Sequence, residues 1–309
     1  MKNKILILLM SCNQPLYEHE EQACRDTFLK DAESAGLSYY FYKGGAEEIS
    51  IDRESHTMLL PVPDNLAGTS KKTVLALTEA LKMGDWDYVI KTNVSTWLDI
   101  AKIVKAVDKW EGSGDRNIYG ARFLANDASK KVPFPRGHFM ILSRFLVLGI
   151  VNWAPKLLNA NDMPRTDDTL LCLSMLYHLQ KICGDDYEKR LMEVPAVNCW
   201  VETIQDAQEW SDALSIRCKD ETTPEKTADH MIKTNKLKRS KNQGRMYRRP
   251  MGLTETKYGM MGYGMFQKIC AMVNAIEKKE EEQLKETPKP AQPQEDKIEQ
   301  IRKRLTEKK

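Results

Sequence analysis

Tyr88, Val89 and Ile90 form a short apolar run that ends in Lys91, Thr92, Asn93, Ser95 and Thr96, and a helix-like pattern follows from Ile100. A run this short, closed by small polar side chains, reads as a buried strand that carries hydrogen-bonding groups to the rim of a sheet. Open α/β sheets bind ligands outside the carboxyl ends of their strands. This one segment therefore constrains both the class of fold and the place where function should sit.

The rest of the chain repeats the alternation. Residues 5–10 read as a strand and 17–35 as a helix that stops near Gly36. Residues 39–42 are an aromatic strand closed by Gly44 and Gly45, and 56–62 a further strand closed by Pro61 and Pro63. Residues 69–83, with Leu75, Leu77 and Leu81, read as a helix that stops at Gly84; 100–110 is again helical. Strands are expected at 117–121 and 138–143, helices from Arg144 and over 167–179, and a late strand at 194–200. Strands that alternate with helices predict an α/β fold: a mostly parallel sheet with helices on both faces.

The chain has 309 residues, 41% of them hydrophobic, enough for a sizeable core. Lys2 and Lys4 ahead of residues 5–10 imitate the start of a signal peptide. That apolar run is about six residues against the ~7–15 of a signal core, with no small-residue cleavage site, so a first buried strand is expected instead. No run approaches the ~18 apolar residues of a membrane span. Seven cysteines form no CxxC pair and no even-numbered framework, which reads as mostly reduced thiols in a cytoplasmic protein.

Beyond residue 220 the pattern weakens. Residues 221–284 read as a basic extension ending in a helix over 266–283, and 285–309 as a flexible charged tail opened by a Pro-rich linker at 287–294. The net charge is only +3, yet residues 232–250 hold eight Lys or Arg and no acid.

Five motifs in order carry a family resemblance. They are Cys24, Arg25, Asp26, Thr27 and Phe28; Asp64, Asn65 and Leu66 followed by Ser70, Lys71, Lys72 and Thr73; Asp87 to Thr92; Pro133 to Ser143, with Arg136, Gly137 and His138; and Thr166, Asp167, Asp168 and Thr169. Together they resemble the β1,3-galactosyltransferase and fringe-like glycosyltransferases, which have the GT-A fold. The resemblance spans about residues 5–180 and implies a domain over 1–220 that binds a nucleotide-sugar, with UDP as the expected nucleotide. It implies transfer to a hydroxyl with inversion. Under it, the chain lacks the membrane anchor of Golgi relatives. The family's acidic metal-binding triplet stands here as Asn93, Val94 and Ser95.

That replacement leaves three readings open. Neutral Asn93 and Ser95 oxygens coordinate Mn²⁺ or Mg²⁺ only weakly, so the cation is held mostly by the diphosphate, or Lys and Arg replace it, or the site is silent. Alternatively, residues 93–96 simply cap the following helix. An inverting transfer needs a general base, and the resemblance assigns that role to Asp168, or to Asp167; the same two acids would also favour the positive end of a helix. The expected donor contacts are Cys12, Asn13, Arg25, Lys71, Lys72, Lys91, Asn93, Ser95 and Thr96, with bidentate or point-charge contacts from the basic members. Arg136, Gly137 and His138 are expected on the acceptor side, Gly137 allowing close backbone approach; His138 also suits packing. His230 is a weak third metal ligand.

Lys236, Lys238, Arg239, Arg245, Arg248 and Arg249, with Tyr247 nearby, suit a polyanion. They read as a DNA-gripping arm, a loop that closes over the donor, or a solvated segment. The expected acceptor is a glycan or glycolipid, which suits a bacterial cell; a hydroxylated base in DNA, as in phage-type modification in an infected host, is the alternative. A catalytically silent domain that binds nucleic acid or a partner is the competing class.

Overall fold

The computed structural model describes residues 3–110, 118–120, 137–158, 167–184, 191–193, 196–197, 213–220, 223–240 and 249–250, and residues 275, 278, 279 and 282. The chain divides into two units, Met1–Phe266 and Gln267–Lys309. The expected helix over 266–283, the linker at 287–294 and the charged tail fall almost wholly outside the described residues.

The first strand, β1 (Ile5–Met10), is buried on both faces, as its unbroken apolar run requires. It lies between β2 (Ser38–Lys43) and β5 (Tyr88–Asn93), parallel to both. β2 continues into parallel pairing with β4 (Thr57–Leu59), which is edged by the antiparallel β3 (Ser50–Asp52). On the other side β8 (Phe139–Ser143) runs antiparallel to β5 and to β7 (Ile118–Gly120). β7 pairs parallel with β9 (Leu191–Glu193), and β9 antiparallel with β12 (Arg249–Pro250). The order β12-β9-β7-β8-β5-β1-β2-β4-β3 thus has a parallel centre with antiparallel flanks. The fold is mixed α/β, with a mainly parallel centre.

A second, three-stranded sheet has the order β10-β11-β6. It joins β6 (Thr96–Leu98) antiparallel to β11 (Ser215–Arg217), which pairs with β10 (Ala196–Val197). Residues 93–96 therefore do not cap a helix: they turn β5 into β6. Asp99 caps α4 (Ile100–Trp110) instead, its Oδ1 accepting from the Lys102 N–H at 3.2 Å.

Helices cover both sides of the main sheet. Ile5, Ile7 and Leu9 share one core with the helix residues Ala23, Cys24, Phe28, Leu29, Ile103, Val107 and Met231. These belong to α1 (Pro15–Asp26), α2 (Phe28–Ser34), α4 and α7 (Lys226–Ser240). α3 (Thr69–Met83) packs against β1 and β2, and against α5 (Arg144–Leu158) and α6 (Asp167–Cys183). The period of two along β1 splits its side chains between the two layers.

The helix expected over 17–35 is broken in two at Thr27, whose φ/ψ of −117°/−107° leaves the helical region. Its Oγ1 donates to the Ala23 carbonyl at 2.6 Å, competing with the backbone for that acceptor. Among the described residues Cys12, Cys24 and Cys218 are free thiols. No described helix is long and apolar enough to cross a membrane.

Candidate functional site

A cavity of about 830 Å³ opens at the carboxyl ends of β1 and β5. Residues that follow β1 (Ser11, Cys12, Gln14), the end of β5 and its turn (Asn93, Val94, Ser95), and the start of β8 (Gly137, His138) line it. α1, α6 and the end of β11 with the residues after it add Tyr17 and Glu20, Asp167 and Asp168, and Arg217 and Lys219 to the wall.

Asp64 organises the side next to β1. Its Oδ2 accepts from the Asn13 N–H at 2.6 Å, and its Oδ1 accepts from the Gly44 N–H at 3.0 Å and from Lys72 Nζ at 2.7 Å. Burial acts to raise its pKa, but these donors outweigh burial and hold the carboxyl below its ordinary value. Lys72 is fully buried and also donates to the Ser11 carbonyl at 2.7 Å. A Cβ on Gly44 would lie 2.7 Å from the Val62 carbonyl oxygen, so only glycine lets the end of β2 approach this loop. Cys12 lines the cavity beside Lys72; burial pushes its thiol up, while the Lys72 charge opposes the shift. Tyr17 is raised chiefly by burial, then by Cys12 and the nearby acids.

The opposite side is built on α6. Asp167 and Asp168 occupy its first turn and line the cavity. Lys91, fully buried on β5, places Nζ 2.6 Å from Asp167 Oδ2. The same ammonium donates to Asn93 Oδ1 at 3.1 Å and to the Gly137 carbonyl. Asp168 Oδ1 accepts from the Thr169 N–H at 2.9 Å, and among the described residues no cation pairs with it. A Cβ on Gly137 would stand 3.3 Å from both Asp167 Oδ1 and Asp168 Cβ. The chain at Gly137 therefore passes closer to the carboxylates than a side chain readily permits.

The sequence-predicted residues thus divide. Cys12, Lys72, Asn93, Ser95, Gly137, His138, Asp167 and Asp168 share the cavity wall. Asn13 is exposed and joins through its backbone alone, and Lys71 is exposed outside the wall. Lys91 and Thr96 are fully buried behind it. Arg25 lies elsewhere: it donates to the Ser55 carbonyl at 2.7 Å and stacks over Phe41 at 4.5 Å. His230, on α7, turns Nδ1 to the Cys218 carbonyl at 3.2 Å and is not in the wall. Lys236 is exposed on α7; Lys238 and Arg239 lie further along that helix, and Arg249 in β12. Arg136, Arg245 and Arg248 fall outside the described residues.

The charged wall residues not singled out from sequence are Glu20, Arg217 and Lys219. The only local signal for the last two is the alternation of apolar and basic side chains over 216–219. Glu20 is 4% exposed, and burial, opposed by Lys219 and reinforced by Glu21, lifts its carboxyl to about 7.

The donor set does not fit a divalent cation. Asn93 already accepts from an ammonium, Asp64 and Asp167 are each paired with a buried lysine, and His230 is engaged elsewhere. Among the described residues no group of three His, Cys, Asp or Glu side chains is arranged to hold a metal. What the wall offers instead is hydrogen-bonding groups, the carboxylate of Asp168, and the basic side chains of Arg217 and Lys219.

No protein-family model matches the chain, and no curated protein matches it in sequence. Among solved structures it is similar to a glycosyltransferase involved in the glycosylation of the major capsid of PBCV-1. That match has 13% identity, covers 74% of this chain and 98% of that one, and has a TM-score of 0.44. It is also similar to a mannosyltransferase from Pyrobaculum calidifontis in complex with GDP-Man and Mn²⁺, at 14% identity, 62% and 54% coverage and a TM-score of 0.36. A third match is the galactosyltransferase LgtC in complex with donor and acceptor sugar analogues, at 10% identity, 86% and 95% coverage and a TM-score of 0.40.

Proposed function

We propose that this chain is a glycosyltransferase that moves a sugar from a nucleotide-activated donor, a UDP-sugar, to a hydroxyl of a glycan or glycolipid. The observation that carries the reading is the cavity itself. At the carboxyl ends of parallel strands, it gathers Asp167 and Asp168 with Arg217 and Lys219 in one hollow. The motif order of the sequence points to the same chemistry.

In this reading Asp168 is the general base. It takes the proton from the acceptor hydroxyl as that oxygen bonds to the anomeric carbon. The bond from that carbon to the diphosphate breaks on the opposite face, and the nucleoside diphosphate leaves. Asp167, tied to Lys91, is a positioning residue that fixes the first turn of α6. Gly137, with no side chain, lets the backbone pass close to both carboxylates.

The test is release of nucleoside diphosphate from a panel of sugar nucleotides, with transfer followed on glycan acceptors. Turnover of one donor that Asp168→Asn abolishes is the expected result. Donor binding with no turnover on any acceptor would favour the catalytically silent reading, and no donor binding at all would remove the proposal.

A further inference from the structure

We propose that Arg217 and Lys219 form the binding site for the donor's diphosphate, and that this site works without a divalent cation. The inference rests on the glycosyltransferase reading for the identity of the donor, but the anion site itself stands on geometry alone.

β11 runs antiparallel to β6 with Arg217 opposite Thr96, and the Cys218 N–H extends the pairing to the Ser95 carbonyl at 2.8 Å. The segment that carries the two cations is therefore hydrogen-bonded directly to the Asn93–Ser95 turn. From the other side the Cys24 thiol donates to the Val94 carbonyl at 3.2 Å. Held on both flanks, the turn has little freedom to move away from the basic segment.

Extended backbone sends alternate side chains to opposite faces. Ile216 and Cys218 are fully buried, whereas Arg217 and Lys219 reach the cavity wall. A guanidinium presents a planar fork of donors that matches phosphate oxygens, and an ammonium adds a mobile point charge. The pair is thus placed at the turn where a carboxylate-held cation would otherwise balance a leaving diphosphate. Lys91 donates to Asn93 Oδ1, so a divalent ion at this turn would meet that ammonium. Glu20 shares the wall with Lys219, and its carboxyl titrates near neutrality. Protonated, it leaves the positive charge of the pair undiminished.

The experiment is calorimetric titration of the full chain with inorganic pyrophosphate, UDP and UDP-sugars, each in EDTA and in Mn²⁺. Pyrophosphate should bind in EDTA with no gain from Mn²⁺, and UDP should bind more tightly than pyrophosphate if the nucleoside is also held. Arg217→Gln and Lys219→Gln should each weaken pyrophosphate binding about ten-fold or more, as loss of a charge-assisted hydrogen bond implies. Arg217→Lys should recover part of the loss. Lys219 is exposed, so its variant keeps the test open if Arg217→Gln fails to fold. Binding that appears only with Mn²⁺, or affinity unchanged in Lys219→Gln, overturns the proposal. Pyrophosphate binding without any sugar-nucleotide turnover would leave the anion site standing and remove the enzymatic reading. Mn²⁺-dependent transfer would do the reverse.

Discussion

Lys91 Nζ and Asp167 Oδ2 lie 2.6 Å apart at the junction of β5 and α6, the lysine fully buried and the carboxylate side chain 13% exposed. Removing one partner of such a pair leaves the other charge buried and uncompensated, which costs roughly 3–5 kcal/mol. Lys91→Met should therefore unfold at markedly lower urea. Asp167→Asn should do likewise, and the double variant should lose much less than the sum. Equilibrium unfolding of the four proteins closes the cycle; additive losses would show that the two groups do not act as a pair.

The same contact separates the roles of the two acids at the start of α6. Asp167 has its cation, whereas Asp168 has a backbone donor on one oxygen only among the described residues. Asp168→Asn should lower kcat by about 10²–10⁴ with little change in stability, the range for loss of a general base. Asp167→Asn should lower stability more than it lowers kcat. Full transfer by the double variant would eliminate both acids as the base.

Most of the sheet was legible because its strands carry their own signal. β1 is an unbroken apolar run, β5 opens on Tyr88, Val89 and Ile90, residues 69–83 read as a helix with Leu75, Leu77 and Leu81 before Gly84, and α6 opens on two acids. The break at Thr27 was not legible, since threonine within a helical pattern does not announce that its hydroxyl has taken a carbonyl. Nor was the β6–β11 pairing. Three residues on each strand leave no local period, and their partners are more than a hundred residues apart in sequence. That pairing is what brings Arg217 and Lys219 to the Asn93–Ser95 turn, so the cationic side of the site stayed hidden. Lys72 and Lys91 illustrate the opposite case. As letters they are free charges for a phosphate, but in the fold each is buried against an aspartate.

Gly137 tests how tightly the chain presses on the carboxylates. A methyl group at 3.3 Å from Asp167 Oδ1 and Asp168 Cβ must move one of them by a few tenths of an ångström. Gly137→Ala should cost about 1–3 kcal/mol in the unfolding free energy, the scale of modest overpacking. It should also lower kcat more than it raises the donor KM, because the displaced groups serve the acceptor step. A variant with wild-type stability and rate would show that the segment simply backs away.

Glu20 supplies a dependence on pH. Its carboxyl is lifted from 4.5 to about 7, first by burial and then by Glu21, with Lys219 opposing; Tyr17, Cys24 and Cys218 are the other titratable groups that feel it. Because the folded state holds this proton more tightly than the unfolded chain, the stability linked to Glu20 is complete below about pH 4.5. It is lost as pH rises toward 7. A shift of that size corresponds to about 3 kcal/mol as an upper bound. Glu20→Gln stays neutral throughout, so the stability difference between variant and parent should move in favour of the variant across that window and level off above it. Paired urea titrations from pH 4.5 to 8 read the difference directly, with the remaining acids cancelling between the two proteins. A difference that stays constant with pH would mean that Glu20 titrates in the wall as it does in the unfolded chain, and its proton would then have no part in setting the charge beside Lys219 near neutral pH.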